Sequence, residues 1–159
     1  MSRLQRGADM DIKDTALRYL ASRPRTCGEM KNFLRQKGFE EPEIDDIIDH
    51  LRNLRYLDDL EYCRQYFDYA FGKGKGMFRV KRELEEKGVE NSTIQIAFED
   101  YEAEETEFER AKKQAEKIAA GKPADQKLAG RIGRRLSSLG YSSELIYRIV
   151  GMYMGERNE

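Results

Sequence analysis

Residues 80–101 read Val-Lys-Arg-Glu-Leu-Glu-Glu-Lys-Gly-Val-Glu-Asn-Ser-Thr-Ile-Gln-Ile-Ala-Phe-Glu-Asp-Tyr. Apolar residues stand eight and four positions before Gly88 (Val80, Leu84), directly after it (Val89), and six, nine, ten and thirteen positions beyond it (Ile94, Ala97, Phe98, Tyr101). The first two share one helical face. The last four follow the i, i+3, i+4, i+7 spacing of an amphipathic helix. Glycine between them is the residue that most readily takes the left-handed backbone on which a helix ends and satisfies its last carbonyls. The stretch predicts a helix, a glycine turn and a second helix, with Asn91 and Ser92 as capping residues.

The same seven offsets recur around Gly38, at Met30, Leu34, Phe39, Ile44, Ile47, Ile48 and Leu51. They recur again around Gly140, at Ile132, Leu136, Tyr141, Ile146, Ile149, Val150 and Tyr153. The glycines lie 50 and 52 residues apart, which leaves room for one more helix before each pair. Residues 14–21, a segment opening on the capping box Asp58-x-x-Glu61, and residues 108–119 supply it. A second capping box, Thr26-x-x-Glu29, follows the breaker Arg23-Pro24-Arg25. Glu41-Pro42 and Ser142-Ser143 stand at the starts of the remaining helices, and Gly72–Gly76 and Gly121-Lys122-Pro123 read as flexible linkers. The expected fold is all-α: a tail over 1–13, then three tandem three-helix repeats over 14–55, 56–101 and 102–155. One such unit is too small to bury its apolar face alone, so the repeats are expected to stack into an elongated array that can curve.

Composition agrees with helix: Val and Thr together supply only seven of 159 residues, too few for a sheet protein. No run approaches the ~20 apolar residues of a membrane span, and the first fourteen residues hold no apolar signal region. A soluble, cytoplasmic protein without membrane contact is expected. Cys27 and Cys63 form no CxxC and lie far from the single His50, which suggests ordinary half-buried thiols rather than a disulfide or metal site.

The 29 basic and 30 acidic residues nearly cancel, yet they segregate along the chain. The middle helices are basic, with Lys31, Arg35 and Lys37 in the first, Arg79, Lys81, Arg82 and Lys87 in the second after Lys73 and Lys75, and Lys127, Arg131, Arg134 and Arg135 in the third. Residues 99–109 hold seven acids and no base, whereas 110–135 hold nine bases against Glu116 and Asp125. One reading is a solvated helix pair joined by i, i+4 pairs such as Glu109 with Lys113, each worth about 0.2–0.5 kcal/mol. The other is a surface for a phosphate backbone or an acidic protein groove. Tyr101, Tyr141 and Tyr153 sit at core offsets and are expected to pack. Gly72–Gly76 lacks the strand and the Ser/Thr of a phosphate loop. Asp58-Asp59 could resemble a metal-binding carboxylate pair, but Asp58 reads as a helix cap, and His50 has no nucleophile or carboxylate at a telling spacing. The expectation is a binding protein with no catalytic residues, metal or cofactor.

Several stretches carry a family likeness. They are Leu20-Ala21-Ser22-Arg23-Pro24-Arg25-Thr26 with Glu29 and Leu34, the junction Leu57-Asp58-Asp59-Leu60-Glu61-Tyr62, the central Arg79-Val80-x-x-Glu83-Leu84-x-x-Lys87-Gly88-Val89, and Leu139-Gly140-Tyr141 with Ile146. Together they resemble the RecX family, bacterial regulators of the RecA recombinase, over residues 14–153. Cys63, Thr26, and the glycines Gly130 and Gly133 depart from the usual pattern; each glycine is expected to interrupt its helix at ~1 kcal/mol relative to Ala. The resemblance implies a cytoplasmic monomer lodged in the groove of the RecA filament on single-stranded DNA, with at most weak direct DNA contact. There it would inhibit ATPase activity and strand exchange, favour disassembly, and restrain recombination and the SOS response. Lys73, Lys75, Arg79, Arg82, Arg131, Arg134 and Arg135 are the expected binding surface. Two alternatives stay open: a direct DNA binder using one helix pair as a helix-turn-helix, and a helical scaffold for an unrelated protein partner.

Overall fold

A computed structural model describes residues 10–154, so most of the tail expected over 1–13, and the last residue of the third repeat, lie outside the described residues. Among the described residues there are nine helices and no strand: α1 Ile12–Ser22, α2 Cys27–Gln36, α3 Glu41–Asn53, α4 Asp59–Gly72, α5 Met77–Glu86, α6 Asn91–Asp100, α7 Glu107–Ala119, α8 Gln126–Leu139 and α9 Ser143–Met154. Local chemistry sets their starts. Asp11 accepts the Asp14 amide, Thr26 and Thr106 form reciprocal capping boxes with Glu29 and Glu109, and Pro42 occupies the first turn of α3. Asp58, Asp125 and Ser142 accept the amides of Glu61, Leu128 and Leu145. The three middle helices end alike. Gly38, Gly88 and Gly140 adopt φ of 94°, 92° and 97°, and the amides of Phe39, Val89 and Tyr141 each return to the carbonyl five residues back.

The apolar offsets become cores. Met30, Leu34, Ile44 and Leu51 are fully buried in the first repeat, and Ile132, Leu136 and Ile149 in the third. Each such side chain contributes about 1.5–3 kcal/mol. The offsets beyond the turn are graded rather than uniform: Ile146, Val150, Tyr101 and Tyr153 are half-buried and Phe98 is exposed. Gly130 and Gly133 do not interrupt α8, which runs unbroken from Gln126 to Leu139. The ion pair of Lys113 is with Glu105, while Glu109, four residues before it, accepts the Thr106 amide and closes the capping box.

The chain divides into two compact units, the described part of Met1–Arg64 with Leu84–Asp100, and Gln65–Glu83 with the described part of Tyr101–Glu159. Each contains one contact between neighbouring repeats, and the two contacts use the same positions. In the first unit the Thr26 hydroxyl donates to the Lys87 carbonyl at 2.5 Å and the Cys27 amide donates to Asp59 Oδ1 at 3.0 Å. In the second the Gly76 amide donates to the Leu139 carbonyl at 2.7 Å and the Met77 amide donates to Glu107 Oε2 at 3.0 Å. Thr26 and Gly76 both stand twelve residues before their own turn glycine; Lys87 and Leu139 both stand one before the next; Asp59 and Glu107 both begin the next repeat's first helix. First-turn amides that a helix leaves orphaned are thus satisfied by the following repeat.

Backbones meet closely at both contacts. A Cβ on Gly28 would lie 2.7 Å from the Gly88 carbonyl oxygen, and one on Gly76 would lie 2.5 Å from that of Gly140. The Gly72–Gly76 stretch is therefore not a loose linker: Gly74 and Gly76 are buried, and the Tyr141 hydroxyl donates to the Gly74 carbonyl at 2.6 Å. Opposite outcomes are expected for one substitution at two helical glycines. Gly28→Ala should destabilise by about 1–3 kcal/mol, since the opposing atoms are backbone. Gly133→Ala meets only Val150 Cγ2 at an ordinary 3.6 Å and should stabilise by about 1 kcal/mol. Urea midpoints followed by circular dichroism measure both; equal shifts would refute the close approach.

Candidate functional site

All seven residues of the expected binding surface fall in the second unit, on the segment that leads into α5, on α5 itself and on α8. They divide by what they touch. Lys75 and Arg79 are tied to Glu83, with Lys75 Nζ at 3.0 and 3.1 Å from its two oxygens and Arg79 Nε donating at 2.9 Å. The Tyr66 hydroxyl donates to the same carboxylate at 2.5 Å. Arg79 Nη1 also donates to the Ser138 carbonyl at 3.1 Å, so one guanidinium links α5 to the end of α8. Burial alone would raise the Glu83 carboxyl, but these three donors outweigh it and hold its pKa at about 2.

Lys73, Arg82, Arg131, Arg134 and Arg135 are exposed, and none forms an ion pair among the described residues. Arg82 lies within one turn of Arg79, and Arg134 and Arg135 within about one turn of Ser138, so the Arg79 contact brings the α5 and α8 cations to one region. Exposed aromatic rings accompany them: Phe78 is 61 % exposed, and Tyr69 has the Lys73 ammonium 5.8 Å from its centroid. Arg110 does not add to the basic surface. It is buried, pairs with Glu107 at 2.6 Å and stacks its guanidinium 3.9 Å from the Phe71 ring.

Family models for the first, second and third three-helix domains of RecX match residues 13–51, 58–97 and 105–150. The regulatory protein RecX of Vibrio parahaemolyticus is 36 % identical over 140 residues, which cover 86 % of this chain and 88 % of that protein. The chain belongs to the RecX family of regulatory proteins. The regulatory protein RecX of Listeria monocytogenes serotype 4b is 35 % identical over 143 residues, 87 % of this chain but 53 % of that protein. The chain thus spans about half the length of such curated relatives. The crystal structure of RecX from Lactobacillus salivarius matches with a TM-score of 0.78 at 26 % identity, covering 89 % of this chain and 94 % of that one.

Within this chain the other candidate groups have structural employment. Asp58 caps its own helix and Asp59 caps α2 from a neighbouring repeat. Cys63 is buried rather than half-buried, and burial followed by the Asp59 carboxylate pushes the Cys27 thiol up to about 12. His50 is exposed in the last turn of α3. Among the described residues no group of three or more His, Cys, Asp or Glu could hold a metal ion, and no helix is long and apolar enough to cross a membrane. Sequence reasoning missed Glu83, Glu107 and Asp59. The last two had a signal, since each follows a capping residue, Thr106 or Asp58, at the start of a repeat.

Glu83 makes the second unit sensitive to acid. Its folded pKa lies below the ordinary 4.5, so its stabilisation is complete above pH 4.5 and fades as pH falls through 4.5 toward 2. Glu83→Gln should lose on the order of 2 kcal/mol near pH 6, and its difference from the parent should shrink toward pH 2. A gap independent of pH in urea melts would contradict this assignment.

Proposed function

We propose that this chain is a negative regulator of homologous recombination and the SOS response. It binds the RecA filament on single-stranded DNA, inhibits ATPase activity and strand exchange, and promotes filament disassembly. Family membership supplies the partner; the observation that supports the surface is the set of unpaired cations Lys73, Arg82, Arg131, Arg134 and Arg135 in the second unit. Cations held at a surface without counter-ions steer and hold an anionic partner. Arg79 positions this surface by joining α5 to α8, and Lys75 shares with it the Glu83 carboxylate that holds it in place. The repeats over 14–55, 56–101 and 102–155 act as successive contact modules, and several modest contacts multiply in effect. The protein acts by binding, as a cytoplasmic monomer, without chemistry of its own.

RecA ATPase measured on single-stranded DNA with substoichiometric protein tests this reading. The parent chain should slow hydrolysis, and Arg134→Glu with Arg135→Glu should raise the inhibitory concentration about tenfold, or about 1.4 kcal/mol, with helical content unchanged. Full potency in the double variant would remove α8 from the interface. Tight binding to bare DNA without any inhibition would instead favour a direct DNA-binding protein, with a log–log salt slope set by the phosphates it neutralises.

A further inference from the structure

The turn between α4 and α5, in the second unit, carries two large rings that the core does not use. Tyr69, in the last turn of α4, is 55 % exposed, and Phe78, in the first turn of α5, is 61 % exposed. Neither stands at one of the seven repeated apolar offsets. Phe78 lies ten residues before Gly88, where the other two repeats have Gly28 and Gly130, so the repeat itself calls for no aromatic side chain there. Lys73 and Lys75 occupy the turn between the rings, and each ammonium stands 5.8 Å from the Tyr69 centroid. The amides of Gly76 and Phe78 donate to the Leu139 and Gly140 carbonyls at 2.7 and 3.1 Å, which seats the turn against the end of α8. Arg134 and Arg135 lie in the last two turns of that helix.

Exposed rings are common on protein surfaces; the charge around these two sets them apart. From Tyr69 to Arg82 there are five bases and no acid, and α8 has four bases and no acid. Nearby acids are engaged: Glu83 by Lys75, Arg79 and the Tyr66 hydroxyl, Glu107 by Arg110 and the Met77 amide, and Asp68 by the Tyr101 hydroxyl. Glu85 and Glu86 stand at the opposite end of α5. Lys73, Arg134 and Arg135 form no ion pair among the described residues. An acidic protein groove would use these cations but not the flat rings. An unpaired nucleotide uses both, since its base offers a face to stack and its phosphate a charge to neutralise. In a duplex the base faces are already stacked on their neighbours.

We propose that the α4–α5 turn is a stacking platform for single-stranded nucleic acid, with unpaired bases on Phe78 and Tyr69 and phosphates on Lys73, Arg134 and Arg135. The proposal deepens the RecA reading, on which it rests for the source of the strand: this part of the surface meets the DNA of the filament rather than the recombinase. The rings supply the preference for unpaired bases, and the cations supply affinity that falls with salt.

Fluorescein-labelled oligothymidylate of about 15 nucleotides, within the ~4–16 that single-strand sites span, tests it by fluorescence anisotropy on the full chain without RecA. An abasic strand of the same length carries the same phosphates without bases. Oligothymidylate should bind saturably and about fivefold or more tightly than the abasic strand. Phe78→Ala and Tyr69→Ala, both on exposed side chains, should each raise the oligothymidylate Kd about fivefold or more while the abasic Kd and the helical content stay unchanged. Arg134→Glu with Arg135→Glu should weaken binding of both strands. The chain has no tryptophan, so Phe78→Trp introduces a single indole, whose fluorescence oligothymidylate should quench and the abasic strand should not. Equal affinity for the two strands, no saturable binding, or an unchanged Kd in both alanine variants would overturn the proposal. Inhibition of RecA ATPase is read separately. A chain that slows RecA but binds no oligothymidylate overturns the platform alone, whereas one that binds it through Phe78 without slowing RecA keeps the platform and overturns the RecA reading.

Discussion

The first turn of any helix leaves amides without partners, and in a repeat of about fifty residues with little core to spare those amides are a liability. Here they become the means of joining repeats. The amides of Cys27 and Met77 are met by carboxylates that open the next repeat's first helix, and Thr26 and Gly76 are met by the carbonyl just before the next repeat's glycine turn. Hydrogen bonds with a charged acceptor contribute roughly 1.5–3 kcal/mol each against about 1 for neutral ones. The close approach of Gly28 to Gly88, and of Gly76 to Gly140, is what brings those groups within reach.

The same contact decides which charges remain for a partner. Arg79 links α5 to α8 through the Ser138 carbonyl while Glu83 gathers Arg79, Lys75 and Tyr66, so two of the cations on the second unit's basic segments serve the fold. Arg110 is withdrawn into the interior against Phe71 and Glu107. What is left outward is a smaller, unpaired set on α8, Arg82 and Lys73. A net charge of −1 conceals this division, because acids such as Glu29, Glu83, Glu107, Glu109 and Asp125 are occupied by caps and internal pairs.

Much of the fold was legible because the features that encode it are local. A left-handed turn demands glycine, an amphipathic helix demands its spacing, and Thr26-x-x-Glu29 closes a capping box within four residues. The site was less legible because its determinants are long-range. Glycine serves both flexibility and close approach, and nothing within residues 72–76 distinguishes the two; Leu139, Gly140 and Tyr141, more than sixty residues on, decide it. The burial of Arg110 and the role of Glu83 depend likewise on side chains supplied by other helices, so charge counting along the chain could not separate a free cation from an employed one.

Hydrogen exchange of individual amides, resolved by NMR, tests the repeat contact most directly. Amides at and just before a helix start exchange freely unless something caps them. Cys27, Gly76, Met77 and Phe78 are predicted to be protected to the level of helix interiors, because each donates to a group of the next repeat. Exchange of these four amides at the rate of unstructured chain, with the helix interiors still protected, would contradict the account.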